Sequence, residues 1–474
     1  MATWHHIPAA DRIPFLQKIA FSAGISTEYV ATGLLTSSLW MPYFNIGMGI
    51  SPSLLGMVLA ILLTWNAFFD PVMGNISDNV RTRWGRRRPF IAVGAILAGA
   101  LYPLFWYMPA GMGDMGKVIY LVVLGIVFFS CYSMWSMPYC GLQMELTPNY
   151  DERTRLAGWM ALFGKLSNLA GTWVLALATC RLFLNPATGK GDILLGMKVL
   201  CWFIAGAIIV LGVLPALFVK ERYYEAEASR QPREPLWQSL KESARCKPLW
   251  CLIGLSFFMV LGSASVGTLT QYVNIYYVFD GDLAAASIVG GWKGTVLVIT
   301  GILLIPAWTW MSEQFDKKTV LIAMILFTMV GHLSNYFCMR PDLPYLQIIP
   351  GVFESATISA VWLFIPSMKA DTADYDELHT GRRREGSINS FFSWFIKASM
   401  TCAVGVGGLV LEACGFTAKI AHQPHDVLQR MFWTYLLLPV GISLIAVAIA
   451  CTYPLGRRRM GEIRAELEAR RGQI

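Results

Sequence analysis

The stretch LLGMVLAILLTWNAFFDPVMGNISDNVRTRWGRRR, residues 54–88, determines which kind of fold the chain can adopt. Its apolar part, Leu54 to Ile76, is long enough to cross the hydrocarbon core of a bilayer as a helix, and a loop dense in arginine follows it. One carboxylate, Asp70, lies within the apolar part and precedes Pro71, which predicts a helix break there. Because a charge in hydrocarbon is costly whether or not it has a use, Asp70 is a candidate functional residue.

The composition of the whole chain indicates a membrane protein. It has 474 residues, of which 55% are hydrophobic and 14% charged, whereas soluble proteins average about a quarter charged residues. The formal net charge is +8, but the basic residues fall in loops between apolar runs. This distribution is typical of a protein embedded in a lipid bilayer and argues against a nucleic-acid partner.

Twelve runs of about 20 mostly apolar residues predict twelve transmembrane helices and an all-α, polytopic membrane protein. In the first half these spans cover approximately residues 17–44, 53–77, 89–109, 117–143, 155–180 and 193–219. In the second half they cover approximately residues 247–277, 283–312, 318–338, 344–367, 387–413 and 430–454.

The positions of lysine and arginine predict which side of the membrane each loop faces, since short basic loops stay in the cytoplasm. The basic segments are residues 78–88, 145–155, 220–247, 313–318, 368–385 and 456–474. The segments with almost no basic residues are 46–52, 110–116, 278–282 and 339–344. Both termini are therefore expected on the cytoplasmic side of the cell inner membrane, and an even number of spans also requires the termini to share a side.

The longest polar interruption divides the chain near its middle. We predict an N-terminal six-helix bundle over residues 1–219, a cytoplasmic linker over 220–246, a C-terminal six-helix bundle over 247–455 and a cytoplasmic tail over 456–474. A weak internal sequence repeat supports the division, because the second and eighth spans both end in a serine, an acid and then basic residues. Parallel six-helix halves are the architecture of the major facilitator fold.

The loop after the second span combines arginines with an acid and glycines. These residues resemble the motif after helix two of major facilitator proteins, where an acid and arginines lock helix ends at a cytoplasmic gate. They are Gly74, Asp78, Gly85, Arg86, Arg87 and Arg88. A solvated positive-inside loop is the alternative, but it explains only the arginines.

Two motifs together resemble a narrower family. The first is WNAFFDPVMG at residues 65–74 with RWGRRRPF at 83–90, and the second is ADTADYDE at residues 370–377 with TGRR at 380–383. Both are similar to signatures of the glycoside-pentoside-hexuronide:cation symporters, a family typified by melibiose permease. The resemblance, which the twelve-span layout extends over the whole chain, implies a secondary active transporter.

The resemblance also implies where the coupling cation binds. The family has two acids one turn apart on the second helix, and these positions hold Asn66 and Asp70 here. One negative charge is missing, although Asn66 can offer a carbonyl oxygen beside the Asp70 carboxylate. A lone acid in an apolar site suits a proton better than sodium. Lys397 stands where the family has a lysine facing the central cavity, and Asp70 is its expected partner.

The predicted substrate site draws on the first, fourth, fifth and tenth spans and on Lys397 of the eleventh. Glu28 falls where the family has a sugar-binding aspartate, and Trp362 matches a tryptophan on the tenth helix, where ordinary packing is an equal alternative. Ser136 replaces a family aspartate, and Ala161 falls near a family arginine. Lys165, one turn further, could replace that base and would suit an acidic substrate such as a uronide or a sulfonated sugar.

Three other ionisable residues lie within predicted spans. Glu354 on the tenth span could pair with Lys293 on the eighth. His332 on the ninth is expected to be a hydrogen-bonded packing histidine rather than a proton relay.

Together these features predict cation-coupled symport of a sugar, glycoside or uronide by alternating access, with a proton favoured over sodium. The alternatives are an exporter or a non-transporting sugar sensor on the same fold. No metal-ligand cluster, nucleophile elbow or phosphate loop points to an enzyme, so no catalytic residue, cofactor or metal is expected. The expected partners are a small sugar, the coupling cation and the lipid bilayer, and the family resemblance implies a monomer.

Overall fold

A computed structural model describes most of the chain. The described residues are 12–80, 82–109, 111–146, 150–186, 191–221, 244–380, 385–417, 420 and 422–471. Most of the predicted linker 220–246 lies outside them, as do the second motif's Arg382 and Arg383 and the side chain of Asp78. The chain divides into two compact units, Met1–Pro232 and Arg233–Ile474, which we call the N-terminal and C-terminal units.

The N-terminal unit consists of helices in its described part. They are α1 (Phe15–Glu28, continued by π-helical turns at Tyr29–Leu39 and Met41–Gly47), α2 (Pro52–Asn79), α3 (Arg88–Leu101), α4 (Asp114–Glu145), α5 (Tyr150–Ala178) and α6 (Ile193–Phe218). Short 3-10 helices lie at Tyr102–Phe105 and Arg181–Phe183.

The C-terminal unit has a similar order of helices. They are α7 (Lys247–Tyr272, with π-helical turns at Val273–Val278), α8 (Leu283–Leu303, resuming at Ile305–Gln314), α9 (Lys317–Cys338), α10 (Ile349–Thr380), α11 (Glu385–Ala413), α12 (His425–Thr452) and α13 (Arg457–Arg471). A 3-10 helix at Pro344–Ile348 precedes α10. The described residues of the two units contain isolated β-bridges but no β-strand.

Eleven helices in the described part of the chain are long and apolar enough to cross a bilayer. Each corresponds to one of the predicted spans from the second to the twelfth. The first predicted span, residues 17–44, is also helical throughout, within Phe15 to Gly47. It does not reach the same apolarity because it carries Glu28 and many hydroxyl side chains.

In the N-terminal unit, the end of α6 is fixed to the start of α3. The carboxylate of Glu221 accepts hydrogen bonds from the backbone N–H groups of Arg86 (2.9 Å), Arg87 (2.8 Å) and Arg88 (3.2 Å). The first N–H groups of a helix have no partner within the helix, so a carboxylate there satisfies them and interacts favourably with the helix dipole. The Arg88 side chain in turn donates to the carbonyl groups of Ala216 (2.6 Å) and Leu217 (3.1 Å).

Gly85 allows this close approach. Its φ of +106° lies in the region that favours glycine, and a Cβ atom there would stand 2.7 Å from Oε1 of Glu221. The predicted gate glycine therefore has a definite role in the turn before α3.

The C-terminal unit repeats the arrangement with different residues. The start of α9 and the end of α12 are joined by Lys318, whose Nζ donates to the carbonyl groups of Cys451 (2.6 Å) and Tyr453 (3.3 Å). Here the carboxylate belongs to Asp316 before α9, and it accepts the backbone N–H of Arg457 at 3.2 Å. Because α3 and α9 are the third helices of their units, and α6 and α12 the sixth, the two units share these contacts as well as their helix order.

The C-terminal helix α13 is joined to the rest of the C-terminal unit by the hydrogen bond from the backbone N–H of Arg457 to Asp316. Arg457 also donates to the carbonyl of Ser312 at 3.2 Å. On its exposed face, Arg459 donates to Glu462 at 2.8 Å, and this hydrogen bond lowers the pKa of the Glu462 carboxyl. The predicted tail 456–474 is thus helical up to Arg471, the last described residue.

Replacing Glu221 tests the role assigned to its carboxylate. We expect Glu221→Ala to lower the free energy of unfolding by about 1–2 kcal/mol, the usual loss when a helix cap is removed. Glu221→Gln keeps one acceptor oxygen and should lose less. The measurement is thermal unfolding of the purified protein in detergent, and an unchanged midpoint for Glu221→Ala would contradict the assignment.

Candidate functional site

Asp70 lies in the second half of α2, within the part of the helix that is apolar enough to cross a membrane. The helix runs unbroken from Pro52 to Asn79, so the break predicted at Pro71 is wrong. Pro71 still has no N–H for the carbonyl of Ala67, one turn earlier, and the remaining hydrogen bonds keep the helix intact. Asp70 itself is only 4% exposed. A buried carboxylate at this depth needs hydrogen-bond donors from its own or neighbouring helices.

Two neutral side chains supply such donors. The hydroxyl of Ser133 on α4 donates to Oδ1 of Asp70 at 2.6 Å, and Nδ2 of Asn66, one turn earlier on α2, donates to the same oxygen at 3.2 Å. Nδ2 of Asn66 also donates to the hydroxyl of Ser133 at 2.8 Å. The three side chains form a closed triangle that joins α2 to α4.

The orientation of Asn66 differs from the sequence-based expectation. Its amide nitrogen faces Asp70, whereas a cation ligand would turn the carbonyl oxygen toward the carboxylate. The reason is chemical, because an ionised carboxylate only accepts hydrogen bonds and therefore attracts the NH₂ end of the amide. In this arrangement Asn66 donates a hydrogen bond to the carboxylate and turns no oxygen toward it.

Sequence reasoning missed Ser133. The expected residue on α4 was Ser136, which is also buried, one turn later along the helix. A serine in a span gives no signal of its own, since many hydroxyls bond to the carbonyl one turn earlier. Only the contact between α2 and α4 shows which serine meets Asp70.

The other predicted residues of the N-terminal unit lie on α1 and α5. Glu28 is exposed at the end of the α-helical part of α1, where π-helical turns begin, and its carbonyl accepts the hydroxyl of Thr32 at 2.8 Å. Tyr132 on α4 is buried and lies within electrostatic range of both Glu28 and Asp70. Lys165 is half-buried on α5. The structure thus brings the surroundings of Glu28 and Asp70 together through α4.

The predicted gate residues are partly accounted for by backbone contacts. The side chains of Arg86 and Arg87 are buried, and the Arg87 guanidinium packs so closely on Gly141 of α4 that a side chain at that position would displace it. Gly74 accepts the hydroxyl of Ser77 at 3.0 Å through its carbonyl. Sequence reasoning missed Glu221, whose carboxylate binds the backbone of the three arginines, because it lies in the charged segment that was predicted to be a linker.

The predicted residues of the C-terminal unit lie on two different helices. Lys397 is half-buried on α11, and Trp362 on α10 is 71% exposed. The expected pair between Lys397 and Asp70 would join the two units and stays a prediction. In the second motif, Asp371 is buried and pairs with Lys317 at 2.6 Å.

The predicted pair of Lys293 and Glu354 is confirmed. Nζ of Lys293 lies 3.1 Å from Oε2 of Glu354, so α8 and α10 are joined by a buried ion pair. His332 on α9 lies beside it, with Nδ1 3.7 Å from Oε1 of Glu354. In the described part of the chain no group of three or more His, Cys, Asp or Glu side chains could hold a metal ion.

Comparisons with known proteins place this architecture in a family. The family model described as MFS/sugar transport protein matches residues 20–457. A putative 2,3-dihydroxypropane-1-sulfonate exporter of Escherichia coli (strain K12) is 25% identical over 98% of both chains. An isoprimeverose transporter of Lactiplantibacillus pentosus is 26% identical over 93% of this chain and 88% of the relative.

A solved structure supports the fold independently of sequence. A bacterial homolog of the human lysosomal transporter Spinster, in an inward-facing and unoccupied conformation, matches with a TM-score of 0.65 at 13% identity, over 96% of this chain and 98% of the other. The family and this fold belong to transporters rather than enzymes. The chain therefore belongs to the MFS/sugar transport proteins, and the glycoside-pentoside-hexuronide:cation symporter resemblance carried by its two motifs is confirmed.

Proposed function

We propose that the protein is a symporter that uses a proton gradient to move a sugar or glycoside across the cell inner membrane. The observation that carries the proposal is the environment of Asp70, a buried carboxylate in a membrane-spanning helix that receives donors from Ser133 and Asn66. Both donors are neutral, so the charge of the carboxylate is not cancelled by them. A proton cancels it without needing further ligands.

The orientation of Asn66 favours a proton over sodium. A metal cation needs several oxygen ligands, and Nδ2 of Asn66 occupies the side of Asp70 where the family supplies a second acid. Ser133 and Asn66 can rotate to accept or donate when Asp70 becomes protonated, because a hydroxyl and an amide each carry both functions. Protonation thus exchanges hydrogen bonds within the triangle instead of breaking it.

The substrate is proposed to carry hydroxyl groups and an acidic group. The family description and the named substrate of the isoprimeverose transporter support a sugar. Lys165 is a half-buried cation on α5, and another relative is named as a putative exporter of a dihydroxylated sulfonate. Glu28, Ser136, Trp362 and Lys397 complete the proposed substrate contacts.

Export is the second candidate, favoured by the printed name of that relative. Both directions use the same carrier cycle, so the distinction lies in which gradient the cell applies. The proposed orientation has both termini in the cytoplasm, since the basic loops predict that side, and the proposed active form is a monomer.

The primary test is uptake into proteoliposomes. Radiolabelled glycosides, pentosides, hexuronides and sulfonated sugars are offered under an imposed proton gradient and, separately, under a sodium gradient. We expect accumulation with the proton gradient alone. Accumulation driven only by sodium would refute the proton assignment, and outward transport from loaded vesicles without uptake would favour the exporter.

Asp70→Asn tests the coupling residue. The amide cannot take up a proton at any working pH, so we expect uphill accumulation to be lost while exchange of labelled for unlabelled substrate continues. Asp114→Asn, which removes an exposed acid at the start of α4, is the matched control and should retain uphill transport. Concentrative uptake by Asp70→Asn at the wild-type level would exclude Asp70 as the coupling site.

Asn66→Asp tests why a proton is preferred. The substitution restores a second carboxylate one turn from Asp70, on the same face of α2. We expect a sodium gradient to drive uptake in this variant and not in the parent protein. Asn66→Ala, which removes the amide without adding charge, should gain no response to sodium. If Asn66→Asp also fails to respond, the missing acid is not what determines cation choice.

Lys165→Ala tests the acidic substrate. Removing the cation should weaken binding of the transported uronide or sulfonated sugar by about tenfold or more, the equivalent of about 1.4 kcal/mol. Neutral glycosides should be affected less. Lys198→Ala on α6, where the lysine is exposed, is the control for loss of one positive charge. Equal binding of acidic sugars by Lys165→Ala and the parent protein would remove Lys165 from the site.

A further inference from the structure

The C-terminal unit contains a second buried polar cluster that the proposed function does not use. It draws one or two side chains from each of four helices. The members are Lys293 on α8, His332 and Asn335 on α9, Glu354 on α10 and Tyr435 on α12. Because these helices cross the membrane, a cluster with two opposite charges at this depth is a candidate functional site.

Glu354 is the centre of the cluster. Its Oε1 accepts hydrogen bonds from Nζ of Lys293 at 3.2 Å and from Nδ2 of Asn335 at 3.1 Å. Lys293 also donates to the hydroxyl of Tyr435 at 3.4 Å. Gly351 on α10 lies against the backbone of α8 here, since a Cβ atom at this position would stand 3.3 Å from the carbonyl oxygen of Lys293. The charges of Lys293 and Glu354 cancel, so the pair needs no third charged group.

Two buried atoms of the cluster have no hydrogen-bond partner in the described structure. They are Nδ1 of His332 and Oδ1 of Asn335. His332 is 7% exposed and Asn335 is fully buried. An unsatisfied polar atom in such a place is costly, and natural proteins retain few of them.

Nδ1 of His332 lies near the carboxylate of Glu354. The distance to Oε1 is 3.7 Å, slightly beyond a hydrogen bond. A proton on Nδ1 would make it a donor to this oxygen, and a small closure would complete the bond. The proton would satisfy an orphaned atom and would lie next to a negative charge, although Lys293 opposes it from the other side.

We propose that His332 and Glu354 form a second proton-binding site, within the C-terminal unit. When it is occupied, an N–H bond forms at Nδ1 of His332 and this group donates to Oε1 of Glu354. The proton comes from a hydronium ion of the aqueous phase, whose O–H bond breaks as the N–H bond forms and leaves water, and the charge of the cluster rises from zero to +1. Glu354 is then shared between two cations, so proton binding loosens its pairing with Lys293.

Besides Glu354 and Lys293, two titratable groups lie in or beside the cluster. Cys338 lies on α9, one turn after Asn335, and Tyr435 faces Lys293 from α12. Both are neutral at physiological pH, so the balance is between attraction by Glu354, repulsion by Lys293 and the cost of burial. Burial and Lys293 both oppose a proton on His332, whereas the carboxylate of Glu354 favours it.

The site is tested without any substrate. The full-length protein, labelled at its histidine nitrogens, is reconstituted in lipid vesicles and examined by solid-state NMR from about pH 7.5 to about pH 4.5. The chain has six histidines, and His332→Asn identifies which signal belongs to His332. Asparagine keeps a donor nitrogen near the position of Nδ1 but does not titrate. We expect the His332 signal to change from the neutral to the imidazolium form within this range.

A double variant tests how the charges of Lys293 and Glu354 affect protonation of His332. Lys293→Met with Glu354→Gln removes both charges together and leaves no unpaired buried ion, which favours folding. In the double variant we expect the His332 transition to stay close to that of the parent protein, because the attraction by Glu354 and the repulsion by Lys293 are removed together. Lys293→Met alone removes only the repulsion and should move the transition to higher pH. A His332 signal that stays neutral throughout in the parent protein would overturn the proposal. This result would leave the role of Asp70 untouched, because the two sites lie in different units.

Discussion

A carboxylate inside a bilayer can be stabilised only by groups that the protein itself supplies, because no water is available to solvate it. This constraint governs two acids that lie within membrane-spanning helices, and it is met in two ways. Asp70 receives hydrogen bonds from the neutral side chains of Ser133 and Asn66. Glu354 receives a cation, Lys293, so its charge is cancelled. In the proposed function the first carboxylate takes up the coupling proton, whereas the second is already paired with a lysine.

The same constraint appears at the helix ends in a milder form. The backbone N–H groups at the start of α3 and the carbonyl groups at the end of α6 lack partners within their own helices. Glu221 and Arg88 supply both, each across the junction between the two helices. In the C-terminal unit Asp316 and Lys318 do the same for α9, α12 and α13. The residue types and chain positions differ, so the repeat is visible in contacts where the sequence echo is weak.

The fold was predictable because it depends on features that a single sequence displays. Long apolar runs predicted the spans, and the placement of basic residues predicted the side that each loop faces. Among the described helices, the first span is less apolar than the others because Glu28 and several hydroxyl side chains lie within it. Asp70 and the Lys293–Glu354 pair were predictable for a related reason, since charged residues in apolar runs are rare and need a partner. In each case the signal was the cost of placing the residue in hydrocarbon.

The contacts that were missed involve residues without such a cost. Ser133 is one of many hydroxyl side chains in the spans, and its partner is known only from the packing of α4 on α2. Glu221 is one of several acids in a charged stretch, and its partner is known only from the packing of α6 on α3. The orientation of Asn66 was unpredictable in the same way, because an amide offers both a donor and an acceptor. Its neighbour decides which end is used. An ionised Asp70 attracts the NH₂ end of Asn66, whereas a protonated Asp70 can donate to the amide carbonyl, so in the proposed function proton binding would reorient Asn66, which also donates to Ser133 on α4.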